Sequence, residues 1–441
     1  MVQRRRPAVD PVDAALAVVL FALALVLYVR TLAPSVATIF DDSLEFQVVC
    51  YTLGIAHPTG YPLYTLLGWA FTRLPWGEPA FRVNLMSAAF AAIAVGLTYG
   101  MCRQLACRRI AAVSGAVALA VSPVFWSQAT IAEVYTMHAA FLVGLLWLAL
   151  WAGVATDRWG LALRRLHLLA LACGFSLTHH RMAFLLIPPL LGYAWLVFRR
   201  RLRARHWRRL AALALAPLLI YAYIPVRGAA VTSLDGSYVN SLAGFLGHVT
   251  AASYNVFLTD NQLAEGWLHP RQVLALFSVQ YGYLGLLLAA IGAAALWRRR
   301  GPRLLLWSAL ALNLAFALLY RVADFEVFFL PSFVLVAVFL GLGLDRVLEA
   351  AADKLKQGRT AQASLTWAVG AVVLGFLLLP LPRRFVELDR SGDWSVHDLG
   401  RAWLQGARAD GTVVGILGEV TLMRYFQVTE GLGQGLELLA A

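Results

Sequence analysis

Residues 166–198 read LHLLALACGFSLTHHRMAFLLIPPLLGYAWLVF, an apolar stretch broken by Thr178-His179-His180-Arg181 and followed at once by the basic run Arg199 to Arg209. Taken as one long tilted helix, it would carry that run across a membrane and invert every later loop. Taken as two short spans meeting in a polar turn, it leaves the run on the same side as the other bursts of arginine. Basic loops stay on the cytoplasmic side of a membrane, so the charges favour two spans.

Similar apolar runs flank this stretch in both directions. With it they give candidate spans at about 13–30, 84–102, 110–125, 134–154, 166–178, 182–198, 210–225, 272–297, 304–320, 327–344 and 364–380. A hydrocarbon core about 30 Å thick takes roughly 20 such residues as a helix. Backbone groups in lipid must also bond to one another, which excludes open sheet. The expected fold is therefore all-α and polytopic, with about eleven transmembrane helices and a cytoplasmic N-terminus. Arg4-Arg5-Arg6 followed by Ala14 to Leu27 resembles a signal peptide, but only Tyr28-Val29-Arg30 follows, so an uncleaved first span is expected.

Composition agrees. The chain is 60% apolar and 14% charged, a ratio that a soluble chain of 441 residues could not cover with polar surface. Its net charge of +13 comes in bursts: Arg4 to Arg6, Arg103/Arg108/Arg109, Arg158/Arg164/Arg165, Arg199 to Arg209, Arg298 to Arg303 and Arg346 to Arg359. These occupy alternate loops, suited to anionic headgroups of an inner (plasma) membrane. They form no stripe with interleaved aromatics, so nucleic acid is excluded as a partner and membrane lipids are expected. Cys50, Cys102, Cys107 and Cys173 have no metal-ligand spacing.

The outward-facing regions divide the chain. Residues 1–382 form the expected transmembrane domain, including a first outer loop at 31–81 with two interfacial helices near 43–53 and 61–74. A second outer region runs from Val226 to about Arg271. Residues 383–441 read as a short extracytoplasmic α/β element, with a strand at 413–417 between helices near 396–408 and 419–427.

Polar residues cluster in the outer turns. Asp41-Asp42-Ser43-Leu44-Glu45 opens the first loop. Asp42 as N-cap with Glu45 three residues on would make a capping box; equally, a carboxylate there could take the proton of an acceptor hydroxyl. Gly54 to Tyr64 makes a turn that explains its Pro and Gly residues but not His57. Glu133 and His138 are ionisable groups at the edge of apolar sequence, where such groups usually face a cavity. The adjacent His179-His180 pair diverges on a helix and chelates poorly, so Arg181 reads as an anchor for an anionic headgroup. Arg227 leaves the seventh span, and Arg321, Asp324 and Glu326 form a further outer cluster.

Asp42-Ser43-x-Glu45-Phe46, then Tyr51-Thr52-Leu53-Gly54-Ile55-Ala56-His57-Pro58-x-Gly60-Tyr61-Pro62-Leu63-Tyr64, resembles the signature of a bacterial multi-span membrane family long catalogued as of unknown function and related to the animal transmembrane protein O-mannosyltransferase. The likeness continues through Ile131-Ala132-Glu133-Val134-Tyr135, His180-Arg181, Tyr223-Ile224-Pro225-Val226-Arg227 and Asp324-x-Glu326-Val327-Phe328-Phe329-Leu330-Pro331. It covers about residues 1–380; Leu44 and Asp41 stand where the family commonly has Gly. The resemblance implies a GT-C glycosyltransferase fold, a catalytic acid in the first outer loop and a polyprenyl-phosphate sugar donor.

The function expected on these grounds is transfer of a sugar, taken as mannose, from polyprenyl phosphate to an acceptor hydroxyl of a protein Ser/Thr or a glycan on the outer face. Asp42 is the expected base, with Glu45 second. His57, His180, Arg181 and Arg227 are the candidates for the donor phosphate; Asp41, Tyr61, Tyr64, Glu133, Tyr135, Asp324 and Glu326 are read as substrate-binding. No cofactor and no metal are expected, and transfer should survive EDTA. The alternative is a transporter or flippase of lipid-linked sugars, against which stand the lack of an internal repeat and the crowding of charge at one face.

Overall fold

Asp10 accepts the Val12 amide at 3.0 Å and Pro11 takes the first turn, so the first helix, α1 (Pro11–Arg30), starts where its apolar run does. In a computed structural model the described residues are 10–39, 41–259, 270–320, 322–354, 359–408 and 410–440. Arg4 to Arg6 and Arg321, named above, lie outside them. After α1 come two short helices, α2 (Asp42–Thr52) and α3 (Pro62–Phe71), then α4 (Pro79–Gln104), α5 (Arg109–Ala120) and the single turn α6 (Pro123–Ser127). The bundle continues with α7 (Tyr135–Val154), α8 (Trp159–Leu177), α9 (Ile187–Phe198), α10 (Ala204–Leu215) and α11 (Tyr223–Gly228). Short helices α12 (Leu242–Val249) and α13 (Val256–Thr259) precede α14 (Pro270–Ala295), α15 (Arg300–Leu319), α16 (Leu330–Lys354) and α17 (Arg359–Leu378).

Among the described residues, ten helical stretches are long and apolar enough to cross a membrane. The expected span at 110–125 is α5, an apolar but shorter helix that Ser122-Pro123 separates from α6. The polar turn at Thr178 does separate two helices. Thr178 and His180 close the end of α8 through their amides, and a 3-10 segment, Arg181–Leu186, restarts the chain into α9.

α16 is the buried centre, with Phe333, Val334, Leu335, Ala337, Val338 and Leu340 all within the core. It approaches α14 at two glycines: a Cβ on Gly292 would lie 1.9 Å from the Phe339 carbonyl, and one on Gly343 1.7 Å from that of Leu288. Small residues at such contacts let helix backbones close up where no hydrophobic effect drives association. At the periphery, Leu23, Leu219, Val372 and Leu379 are exposed, as lipid-facing residues should be.

The two ends of the bundle differ in chemistry. At one end Arg103 and Arg109 pair with Asp13, Arg109 also with Asp10, and Arg108 with Asp345 at 3.1 Å. Part of the arginine excess is therefore neutralised within the chain. The opposite end carries α2, α3 and the C-terminal element of α18 (Leu381–Leu388), α19 (Ser395–Gly406), β1 (Thr412–Gly415), α20 (Leu417–Glu430) and β2 (Glu437–Ala440). β1 and β2 run parallel, from Thr412↔Glu437 to Gly415↔Ala440. The tail docks on the first loop: Leu422, Met423 and Phe426 share an apolar cluster with Val36, Leu44 and Val48, and Tyr425 Oη accepts the Ala80 amide at 3.1 Å.

Side of membrane is testable. In a Cys173→Ser background, whose other cysteines are buried, single cysteines at the exposed Ser237 and Ser391 should react with an impermeant thiol reagent from outside, and ones at the exposed Asp157 and Ala204 should not. Labelling of Ala204 from outside would contradict this arrangement.

Candidate active site

The first loop is organised by the start of α2. Asp41, in extended conformation, is the N-cap and accepts the Ser43 amide at 3.1 Å. The capping box expected from Asp42 and Glu45 does not form, because the helix starts one residue earlier in register and Asp41 supplies the cap. Asp42 is thereby left free, its side chain about half-exposed. Buried Gln47 ties α2 to α4 through Asn84 at 2.9 Å, and Asn84 in turn holds the carbonyls of Ala33 and Ser35.

Glu45 turns toward the following reversal. α2 ends on Leu53 in left-handed conformation, and the chain returns through Gly60 to α3. Glu45 Oε1 accepts the His57 backbone N–H at 2.8 Å, while Oε2 pairs with His57 Nδ1. His57 Nε2 lies 3.5 Å from Asp42 Oδ2. The buried ring of Phe46 packs on His57, Tyr61 and Tyr64 at centroid distances of 5.6, 5.3 and 4.8 Å. Burial opposes charge on His57, but the carboxylates of Glu45 and Asp42 outweigh it and push its pKa up to about 9. It is an imidazolium at neutral pH. Lost hydration raises the Asp42 pKa; His57 opposes that and Glu45 reinforces it, with the balance upward.

The far side of the reversal is braced. His248 Nε2 lies 3.0 Å from the Ala56 carbonyl, Tyr223 Oη donates to Gly54 O at 2.8 Å, and Arg227 Nε donates to Leu53 O at 2.7 Å. Gly60 has φ +80°, a conformation that favours glycine, and a Cβ there would also displace the Ile224 Cδ1 methyl, 2.6 Å away. Two sequence expectations change here. Both ring nitrogens of His57 face carboxylates, leaving it no free donor for a phosphate. Arg227 holds backbone carbonyls of the first loop, a strut rather than an open cation.

Asp41, Asp42 and Glu45 line a cavity of about 340 Å³ together with Asp235 and the tail residues Ile416, Leu417 and Gly418. No feature of residues 416–418 in the sequence signals that tail contribution. Glu133, which does not line this cavity, is 5% exposed, with one carboxylate oxygen unpartnered among the described residues. Ser87 Oγ receives the Glu133 amide at 3.0 Å; as one polar residue in the apolar helix α4, Ser87 could not be distinguished by sequence. Burial, with the charges of Asp42, Asp41 and Asp324 added, holds the Glu133 carboxyl far above its ordinary range.

His180 Nδ1 accepts the Met182 amide at 3.2 Å, which puts the ring hydrogen on Nε2. Its ring lies beside Tyr61, Tyr135 and His138 at 5.9, 5.7 and 5.0 Å. Burial lowers the His180 pKa well below its usual value, and the neighbouring imidazoles and Arg181 act in the same direction, so the ring is a neutral donor. Arg181 donates to Ala251 O at 3.2 Å and has no carboxylate within salt-bridge distance among the described residues. Asp324 is exposed but felt electrostatically by Glu133; Glu326 is exposed in the turn Phe325–Phe329 and joined to none of the others by a hydrogen bond or ion pair. Ligand atoms of Asp42, Glu45 and His57 all lie within 4.8 Å of one another, so this group has the donors to hold a cation if His57 deprotonates.

Residues 42–206 match the family described as Protein O-mannosyl-transferase TMEM260 N-terminal domain. The chain is 24% identical over 442 residues to the Protein O-mannosyl-transferase tmem260 of Dictyostelium discoideum, covering 88% of this chain and 52% of that protein. It is 33% identical over 230 residues to Protein O-mannosyl-transferase TMEM260 of Mus musculus, covering 49% and 31%. It thus spans about half the length of the first relative and a third of the second. Among solved structures, ArnT from Cupriavidus metallidurans bound to undecaprenyl phosphate superposes with a TM-score of 0.60 at 14% identity, over 97% of this chain and 89% of that one. The oligosaccharyltransferase AglB from Archaeoglobus fulgidus, in complex with an inhibitory peptide and a dolichol-phosphate, gives 0.58 at 12% identity, over 98% and 65%. At these identities the superpositions establish the fold.

The carboxylate clamp on His57 has a direct readout. Nitrogen-15 NMR of the imidazole in nanodiscs should show His57 protonated at pH 7.5 and titrating near pH 9. Glu45→Gln should lower that value by about one unit or more, since a pKa unit corresponds to about 1.4 kcal/mol of lost interaction. A neutral His57 at pH 7.5 would contradict the clamp.

Proposed function

We propose that this chain, which has the GT-C fold and is related to the TMEM260 proteins, transfers a glycosyl group, mannose, from polyprenyl phosphate to an acceptor hydroxyl at the Asp42 cavity. The observation that carries the reading is the state of Asp42: released from capping by Asp41, open to the cavity, and raised in proton affinity. A general base works best when its pKa approaches the working pH.

In an inverting displacement the acceptor oxygen attacks C1 of the sugar, the C1–O bond to phosphate breaks, and the acceptor proton passes to Asp42. Polyprenyl phosphate leaves with the bonding electrons. Glu45 acts through His57, whose imidazolium fixes the direction of the Asp42 carboxylate. Negative charge growing on the leaving phosphate meets the Nε2–H of His180 and the guanidinium of Arg181, neither neutralised by a carboxylate. Glu133, kept protonated by burial, donates a hydrogen bond to a sugar hydroxyl, as a carboxylic acid in an apolar site can.

The undecaprenyl phosphate in ArnT and the dolichol-phosphate in AglB support a lipid-linked donor on this fold. The names of the curated relatives support mannose and a protein Ser/Thr acceptor. The cavity lies at the end of the bundle away from the clustered arginines, which supports an extracytoplasmic reaction in an inner or plasma membrane. We assign residues 1–382 to the transmembrane catalytic part and 383–441 to an element that walls the acceptor side.

Asp42→Asn keeps the size of the side chain and leaves the Asp41 cap untouched. The variant should fold and insert normally while transfer falls at least ~100-fold, the scale of general-base loss. Near-normal transfer by a correctly inserted Asp42→Asn protein would remove Asp42 from the base position and make Glu45 the next candidate.

A further inference from the structure

Where the tail meets the start of α4, a second group of ligand-capable side chains assembles outside the Asp42 cavity. His397 of α19 is 4% exposed, and its Nδ1 lies 2.9 Å from Asp398 Oδ1. With that hydrogen on Nδ1, the lone pair of Nε2 is directed into the protein. Nε2 lies 3.3 Å from Glu78 Oε1 and 3.8 Å from Glu430 Oε1, and makes no hydrogen bond among the described residues. A buried lone pair beside two carboxylates is repulsive unless a cation joins them. The three ligand atoms fall within 4.8 Å of one another.

We propose that Glu78, His397 and Glu430 bind one divalent ion of the zinc class that fastens the C-terminal element to the first loop. Two ligands bound about 2.0–2.1 Å from a tetrahedral zinc are about 3.3–3.4 Å apart, so the His397–Glu78 pair at 3.3 Å already has the required spacing, while Glu430, at 3.8 Å from His397, has to close in on both. The surroundings are those of a metal site as well. A zinc-bound imidazole characteristically gives its other N–H to a carboxylate, which is the part Asp398 plays. The non-ligating oxygens are held from behind: Ser35 Oγ donates to Glu78 Oε2, and Arg401 Nη2 lies 3.4 Å from Glu430 Oε2. The imidazole makes a transition metal a better fit than calcium or magnesium, which prefer oxygen alone. The competing arrangement, an imidazolium between the two acids, would need Nε2–H to reach a carboxylate oxygen in hydrogen-bonding geometry, and it does not.

The three residues come from both parts the ion would join: Glu78 precedes α4, while His397 and Glu430 belong to the tail. The same tail supplies Ile416, Leu417 and Gly418 to the cavity wall, so the ion would fix that wall relative to Asp42.

The test uses the full chain in nanodiscs, stripped with a chelator, exchanged into metal-free buffer and titrated with zinc. Bound metal is then counted by mass spectrometry. One tightly held equivalent is expected, weakened at least ~10-fold in His397→Ala and in Glu430→Gln, a conservative lower bound since even outer-shell changes cost 10–100-fold. His57→Ala, which removes the other ligand-capable group, should keep that equivalent. Cobalt(II) should give visible bands of a tetrahedral centre that Glu430→Gln abolishes, and zinc should slow proteolysis within 383–440 in the parent protein but not in Glu430→Gln. The near-isosteric Glu430→Gln reports on the site even where His397→Ala unfolds the tail. No tightly held equivalent, one lost with His57, or one that persists in both tail variants would overturn the proposal.

Discussion

Glu45 grips His57 twice, by the backbone N–H and by the ring, and the rest of the candidate site is arranged around that contact. It fixes the reversal from α2 to α3, which brings Tyr61 and Tyr64 against Phe46 and aims His57 Nε2 at Asp42. Isolated, a buried imidazolium would be costly. Here one carboxylate holds it and a second, half-exposed one faces it, so the positive charge is retained and the second carboxylate keeps a preferred orientation. The struts from Tyr223, Arg227 and His248 make sense on the same terms, since they immobilise the carbonyls of the reversal that presents His57.

Two electrostatic environments adjoin at this end of the bundle. In the cavity wall Asp42 is crowded by other carboxylates, with a raised affinity for a proton. Outside that lining, buried His180 is a neutral donor, burial raises the proton affinity of Glu133, and Arg181 has no carboxylate within salt-bridge distance among the described residues. Such a gradient suits a reaction in which a proton leaves an oxygen at one end and negative charge appears on a phosphate at the other.

Much of this was legible in sequence for physical reasons. Apolar run length marks helices that must cross hydrocarbon, and the side occupied by Arg199 to Arg209 decided the break at Thr178. The carboxylates of the first loop stood out because three acids rarely open one short helix. Other features left no trace. Asp41 and Asp42 are equally good caps one residue apart, and only backbone conformation decides between them. An arginine leaving a span looks the same whether it meets a headgroup or, like Arg227, a carbonyl of another loop. The apolar face of α20 reads as the core of its own small element, yet it buries Val36, Leu44 and Val48 of the first loop. β2, Glu437-Leu438-Leu439-Ala440, has no β-branched or aromatic residue to announce a strand, unlike the equally short β1 with Val413-Val414. Even the arginine bursts are partly internal, since Asp10, Asp13 and Asp345 neutralise some of them.

The proposed transferase breaks the bond between a sugar and a polyprenyl phosphate, whereas a transporter would carry the intact lipid across the membrane. The most direct measurement supplies the purified protein, reconstituted in liposomes, with polyprenyl-phosphate mannose labelled in the sugar, with and without a Ser/Thr-rich peptide. The label is then partitioned between lipid, water and peptide. Sugar transfer should put label on the peptide, release free mannose slowly when peptide is absent, and leave unlabelled polyprenyl phosphate. Label that stays entirely on the lipid while appearing in the opposite leaflet would contradict it and make the protein a transporter.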